Sequence, residues 1–141
     1  MLKVKKLSTN ALLPERANKY AAGYDLYLPE AYDIRVGLNK IDLQIAIEIP
    51  PGHYARIACR SSMACIGYTV EAGVIDEDYR GPVCIMLRSR CNDSLPYGYK
   101  VAQMIITPCA SPEVKEVESL SDTSRGKGGF GSTGSEHSDT Q

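Results

Sequence analysis

IDLQIAIEI, Ile41 to Ile49, is the stretch that decides the fold class. Ile41, Leu43, Ile45, Ile47 and Ile49 alternate without a miss against Asp42, Gln44, Ala46 and Glu48. Successive side chains of a strand point to opposite faces, so a period of two predicts one strand with one buried face. Pro50-Pro51-Gly52 then breaks the run and turns the chain into HYARIA, Tyr54 being the aromatic of a second short strand. Comparable runs are YDLYL, YDIRV, PVCIML and YKVAQMIIT, with EVKEVE after them. Gly, Pro, Asn or Asp separate them at intervals of roughly ten residues, the spacing of an all-β sandwich, barrel or jelly roll.

Helix signals are sparse. RSSMACIGY, Arg60 to Tyr68, can make one or two turns, because Ser61 or Ser62 can cap it. After Leu120 the composition shifts to Ser, Asp, Gly and Thr, which divides the chain into a body, 1–120, and a mobile arm, 121–141. The closing SEHSDTQ reads as disordered.

A chain of 141 residues suits one domain with a real core, and 43% hydrophobic with 23% charged residues is ordinary for a globular protein. Sixteen basic and 17 acidic residues are interspersed, without the basic stripe of a nucleic-acid binder. No apolar run approaches the roughly 20 residues of a membrane span. MLKVKKLSTN carries charge but no apolar signal core, so the protein is expected inside the cell, cytoplasmic or nuclear, and not secreted. Cys59, Cys65, Cys84, Cys91 and Cys109 are odd in number and lack CxxC spacing. Buried thiols in a reducing compartment are expected rather than a disulfide framework or zinc site. His53 follows a turn, is expected to face solvent, and receives no role.

Four internal stretches could carry chemistry. GVIDEDYRG, Gly73 to Gly81, reads structurally as a hairpin with a Val74-Ile75 arm and a return strand near Pro82. Functionally, it holds Asp76 rigidly at a cleft as a general base for water, with Tyr79 as a flat wall. RSSMA offers a guanidinium and two hydroxyls at a helix start, a phosphate site or simply a capped helix beside a surface arginine. Asp25 in AAGYDL is a turn aspartate or an acid that orients water on Mg²⁺. Gln103 in VAQMI is a hydrogen-bonded core amide or a polar group directed at a ligand.

RGKGGFGSTG, Arg125 to Gly134, contains GxGxxG. A dinucleotide-binding turn must follow a strand and open a helix, with an acid about 20 residues on. Only ten residues follow Gly131, so that reading fails. A P-loop needs Lys where Ser132 stands. What remains is a flexible tail or a nucleotide clamp, for which an arginine, unobstructed peptide N–H groups, the single Phe of the chain and two hydroxyls are suited.

The order AAGYDL, RSSMA, AGVIDEDYRG, GYKVAQMI, RGKGGFGSTG resembles the five ordered motifs of the homotrimeric dUTPases, from Ala21 to Gly134. The resemblance implies a jelly-roll-like distorted barrel and a trimer whose sites are shared between subunits, each arm closing over another chain's site. It also implies Mg²⁺-dependent hydrolysis of dUTP to dUMP and pyrophosphate, which keeps uracil out of DNA and supplies dUMP for dTMP synthesis. Asp76 is then the base that activates water for attack at the α-phosphorus. Tyr79 packs under the deoxyribose, the backbone of Gly73, Val74 and Ile75 reads the uracil edge, and Cys84 lies close to the base. Arg60, Ser61 and Ser62 hold phosphates with Gln103 near the α-phosphate. Asp25 orients water on a Mg²⁺ held mainly by the triphosphate. Arg125 reaches the γ-phosphate, Phe130 stacks on uracil, and Gly131, Ser132 and Thr133 line the phosphate chain.

Several positions depart from the family pattern. Cys59 stands in place of the usual Pro, Ser62 in place of Gly, Glu71 where Gly or Asn is common, and Tyr99-Lys100 in place of an acid–Arg pair. Two other functions compete. A dCTP deaminase would need a Glu on the strand after GVIDEDYRG, but PVCIMLRS has none and Met86 occupies the place. A regulatory protein derived from a dUTPase, which keeps the nucleotide site and signals by binding partners, could coexist with catalysis, since intact Asp76 and Arg125 speak against a dead enzyme.

Overall fold

A computed structural model describes residues 1–132. Thr133, Gly134 and the SEHSDTQ segment lie outside the described residues. The chain divides into two units, Met1–Ala110 and Ser111–Gln141.

The regular structure of the first unit is almost entirely strand. In chain order it runs β1 Lys3–Lys6, β2 Tyr24–Tyr27, β3 Tyr32–Ile34, β4 Gly37–Asp42, β5 Ile45–Glu48 and β6 His53–Ala58. After β6 come α1 Ser61–Cys65, β7 Thr69–Glu71, β8 Val74–Ile75, β9 Cys84–Ser89, β10 Asp93–Leu95 and β11 Lys100–Pro108. All pairings are antiparallel and form four small sheets: β2-β11-β6-β8, β4-β9-β7, β1-β5 and β10-β3. This is the expected all-β, jelly-roll-like architecture, with one five-residue helix.

The run 41–49 keeps its predicted burial but not its predicted continuity. Ile41, Leu43, Ile45, Ile47 and Ile49 are all buried. Between β4 and β5, however, Gln44 takes a left-handed φ of 58°. The Asp42 carboxylate accepts the Gln44 N–H at 2.7 Å, an Asx-type turn that breaks the ladder. β4 therefore joins β9, whereas β5 joins β1 in another sheet. Burying each such aliphatic side chain contributes about 1.5–3 kcal/mol, so the five stay buried although the strand turns; Ala46, expected on the opposite face, is buried as well.

GVIDEDYRG also differs from expectation. β8 and the return strand β9 do not pair as a hairpin; β8 lies against β6, and β9 between β4 and β7. Ser61 and Ser62 do not cap α1, because Arg60 is the N-cap and no side chain supplies a cap bond. EVKEVE forms no strand; Val114 is fully exposed and Val117 half exposed. The cysteines are free, but none is buried: Cys65, Cys91 and Cys109 are exposed, and Cys59 and Cys84 are half-buried. His53 is also half-buried, with Nδ1 2.9 Å from the Pro51 carbonyl oxygen.

Buried Asn39 secures the start of β4. Its side-chain amide donates to the carbonyls of Arg35, Gly37 and Leu87, and its oxygen accepts the Arg35 N–H at 3.0 Å. Among the described residues no helix is long and apolar enough to cross a membrane.

In the second unit, Arg125 to Ser132 coil into consecutive tight turns. Gly128 N–H donates to the Arg125 carbonyl at 3.1 Å, and Ser132 Oγ accepts the Gly129 N–H at 2.8 Å. Gly126, Phe130 and Gly131 all have positive φ, and the Phe130 ring is fully exposed.

Candidate functional site

All the predicted residues of the first unit except Ser62 gather at two places that share no lining residue.

The first is a cleft of about 300 Å³ where the β4-β9-β7 and β2-β11-β6-β8 sheets diverge. Gly73, Val74, Ile75, Asp76, Tyr79 and Cys84 all line it. Ala72 and Gly73 carry the chain from β7 to β8 through left-handed φ values of 56° and 85°. Gly73 is required for space as well: an added Cβ would sit 2.6 Å from the Ile57 carbonyl oxygen. Its own carbonyl accepts the Ile57 N–H at 2.7 Å, which pins the turn to β6. Ala72 to Ile75 all line the cleft, so the turn forms part of its wall.

Asp76 follows β8 and is exposed, so its carboxylate is accessible to water. Among the described residues that line the cleft it is the only acid. Its carbonyl accepts the Tyr79 N–H at 3.1 Å, closing a turn that brings the phenol ring over the cleft. Tyr79 hydroxyl donates to the Pro82 carbonyl at 2.9 Å, fixing the ring plane. Burial and the Asp42 carboxylate push the Cys84 thiol up from its ordinary pKa, so it stays protonated and serves as an apolar wall. Lys40 and Met86 complete the cleft from β4 and β9. Lys40 carries no motif signal because it sits inside an ordinary strand, and Met86 stands out in the sequence only as the residue in place of a deaminase Glu.

The second place is a pocket of about 270 Å³ that holds Asp25, Arg60, Ser61 and Gln103. Strand register assembles it: Asp25 of β2 lies opposite Gln103 of β11, which lies opposite Ala58 at the end of β6. Arg60 Nε is 3.4 Å from one Asp25 oxygen and Lys100 Nζ is 3.4 Å from the other. Gln103 Nε2 donates to the Cys59 carbonyl at 3.2 Å, and its side chain packs on Gly23. Two cations around one anion leave a net positive pocket, floored by small residues, that suits a phosphate. Ser62 is exposed and lines neither place. Lys100 is a participant that sequence reading noted only as a departure from pattern.

Arg125, Phe130, Gly131 and Ser132 belong to the second unit, and Thr133 lies outside the described residues.

Comparison with known proteins identifies the family. The dUTPase family model matches residues 9–134. A deoxyuridine 5'-triphosphate nucleotidohydrolase of Oryza sativa subsp. japonica is 49% identical over 140 residues, covering 95% of this chain and 81% of that protein. The Staphylococcus bacteriophage 80alpha dUTPase with dUpNHpp superposes with a TM-score of 0.90 at 29% identity, over 95% of this chain and 98% of that one. A dUTPase from phage phi11 of S. aureus, described with a structural Mg(II) ion, superposes at 0.79 and 27% identity, over 85% and 98%. With the family match spanning nearly the whole sequence and the fold shared over its length, the chain belongs to the dUTPase family.

Proposed function

We propose that this chain hydrolyses dUTP to dUMP and pyrophosphate, with Asp76 as the base. The observation that carries the reading is the company Asp76 keeps. The only acid among the described residues that line the cleft lies beside a backbone turn suited to a pyrimidine edge and beside an aromatic wall. In the step proposed, the Asp76 carboxylate takes a proton from a water molecule. The water oxygen bonds to the α-phosphorus, the bond from that phosphorus to the oxygen leading to the β-phosphorus breaks, and pyrophosphate departs with the electron pair. Tyr79 supports the sugar, and Gly73 to Ile75 with Cys84 enclose the uracil, leaving no room for a 5-methyl group. Arg60, Ser61, Ser62 and Gln103 serve the phosphates.

Mg²⁺ is part of the proposal. Among the described residues no three His, Cys, Asp or Glu side chains converge on one point, so the protein alone offers no cage. A triphosphate supplies the hard oxygens that Mg²⁺ prefers, and the ion keeps waters when so bound. Both Asp25 oxygens face cations at 3.4 Å, yet each keeps a lone pair that can accept from a metal-bound water. When bound, the ion would offset the negative charge of the phosphates.

The proposed assembly is a homotrimer. Asp76 and the Arg60 pocket share no lining residue within one chain, which is the arrangement expected if neighbouring copies complete each other's sites. The arm from Ser121 onward, with Arg125, Phe130, Gly131, Ser132 and Thr133, is proposed to close over another copy's nucleotide. The place of action proposed is the cell interior, cytoplasm or nucleus, in keeping with a nucleotide substrate and free thiols.

The test is pyrophosphate release from dUTP, dCTP, dTTP and UTP, with and without Mg²⁺. Turnover of dUTP alone, dependent on the ion, is expected, and Asp76→Asn should lower it by at least about a hundredfold. An Asp76→Asn variant as fast as the parent would refute the mechanism.

A further inference from the structure

We propose that Glu71 and Arg88 form a positioning pair that sets the geometry of the base-reading turn and so contributes to uracil selectivity. This rests on the assignment of the 300 Å³ cleft as the base site.

The turn is a crossover between two sheets. Glu71 is the last residue of β7 in the three-stranded sheet, and Val74 is the first of β8 in the four-stranded one. Only Ala72 and Gly73 lie between them, both left-handed. The two walls of the cleft follow from this split: Ile57, Val74 and Ile75 from one sheet, Lys40, Cys84 and Met86 from the other. The separation of the walls therefore depends on how firmly each side of the crossover is held.

On the β8 side the backbone does the holding, through the Ile57 N–H to Gly73 carbonyl bond of 2.7 Å. On the other side, β7 is an edge strand of three residues that pairs only with β9. Its ladder ends at the Glu71–Met86 position. Here the side chains add a connection. Arg88 Nε and Nη2 donate to the two oxygens of the Glu71 carboxylate, the second at 3.0 Å. Arg88 stands opposite Thr69, so the pair runs diagonally along the strands, a distance long side chains span. A planar fork on a carboxylate restrains orientation as well as distance, which a single ammonium contact would not. The guanidinium holds the Glu71 carboxyl below its ordinary pKa.

The partner of this connection is the strand that lines the cleft. Cys84 and Met86 lie on the same face of β9 as Arg88, and Met86 sits directly opposite Glu71. The pair therefore ties the residue preceding the turn to the wall facing it. Both side chains are nearly half exposed, so the pair contributes little to global stability. Its effect is local: it narrows the range of positions open to the Ala72 and Gly73 peptide groups. Glu71 and Arg88 do not line the cleft themselves, so they act as positioning residues.

The test compares Glu71→Gln, Arg88→Gln and the reversed pair Glu71→Arg/Arg88→Glu with the parent, beside Asp76→Asn. Each single variant should raise KM for dUTP about fivefold, with kcat little changed, as loss of ground-state positioning does. The ratio of kcat/KM for dUTP over dTTP should fall by a similar factor, melting temperature should hardly move, and the reversed pair should recover most of both losses. Parent-like KM and selectivity in both single variants, or a reversed pair no better than either, would overturn the proposal while leaving the cleft assignment in place. Full turnover by Asp76→Asn would overturn that assignment, and the positioning role with it.

Discussion

Arg60 and Asp25 meet across the β2-β11-β6 sheet, Nε to Oδ1 at 3.4 Å, with 14% of the Asp25 side chain exposed. Lys100 holds the other oxygen at the same distance. Asp25→Asn would leave two cations facing each other without their shared anion. Chemical denaturation should show a loss of about 1–2 kcal/mol, between the small value of an exposed pair and the larger one of a buried network. If Asp25 also orients metal-bound water, the Mg²⁺ concentration for half-maximal turnover rises in the same variant. A stability loss with an unchanged Mg²⁺ requirement would assign Asp25 to charge balance alone.

Gly73 and Gly52 make a controlled comparison. Both have positive φ, 85° and 76°, so a Cβ is strained at either. At Gly52 nothing lies within 4 Å of that Cβ, whereas at Gly73 it meets the Ile57 carbonyl oxygen at 2.6 Å. Gly52→Ala should cost about 1 kcal/mol, and Gly73→Ala about 2–4 kcal/mol because backbone must also move. Urea melts check both. KM for dUTP should rise only in Gly73→Ala, since Gly73 lies in the turn that lines the cleft and Gly52 does not.

Much of this was legible in the sequence, for a local reason. Alternation from Ile41 to Ile49 reports burial, and burial was right at each of the five aliphatic positions. It does not report strand continuity, because the Asp42–Gln44 turn uses residues that also fit a strand. GVIDEDYRG was read as a hairpin since adjacent strands usually pair; that β8 leaves for β6 depends on the close approach of Gly73 to Ile57, a contact distant in sequence. EVKEVE alternates as a strand does, yet Val114 and Val117 have nothing in the chain to cover them. At the sites, motif residues could be named one by one. Lys100 and Glu71 stand out in the sequence only as departures from pattern, and Lys40 and Arg88 not at all, because register sets their neighbours.

Tyr68 and Asp93 give a pH prediction. Tyr68 is buried at 2% exposure and donates from its hydroxyl to Asp93 at 2.5 Å. Burial, then the Asp93 bond, raise the Tyr68 pKa well above its ordinary value; the same bond lowers that of Asp93. A raised phenol contributes stability that is complete below the unfolded-state value of about 10 and is lost as pH climbs toward the folded-state value. A lowered carboxylate contributes above its unfolded value of about 3.9 and loses that as pH falls through its folded value. Tyr68→Phe should therefore cost about 1–2 kcal/mol at neutral pH, and its deficit should shrink above pH of about 10. Urea midpoints measured from neutral to alkaline pH check the trend; a constant deficit would count against it.

The arm makes the sharpest prediction. Every buried apolar residue among the described ones lies between Ala11 and Met104, so deletion from Ser121 should leave the melting temperature of the body nearly unchanged. Turnover should nevertheless fall about a hundredfold or more, because a closing segment both excludes water and aligns the nucleophile. Deletion alone does not say whose site the arm serves; mixing does. The truncated chain keeps Asp76 but lacks an arm, and full-length Asp76→Asn has an arm but no base. If arms act across chains, subunit exchange between these two inactive proteins creates sites with an intact Asp76 and a neighbour's arm, and dUTP turnover returns. If each arm closes on its own chain's Asp76, no mixed assembly contains a complete site and the mixture stays inactive.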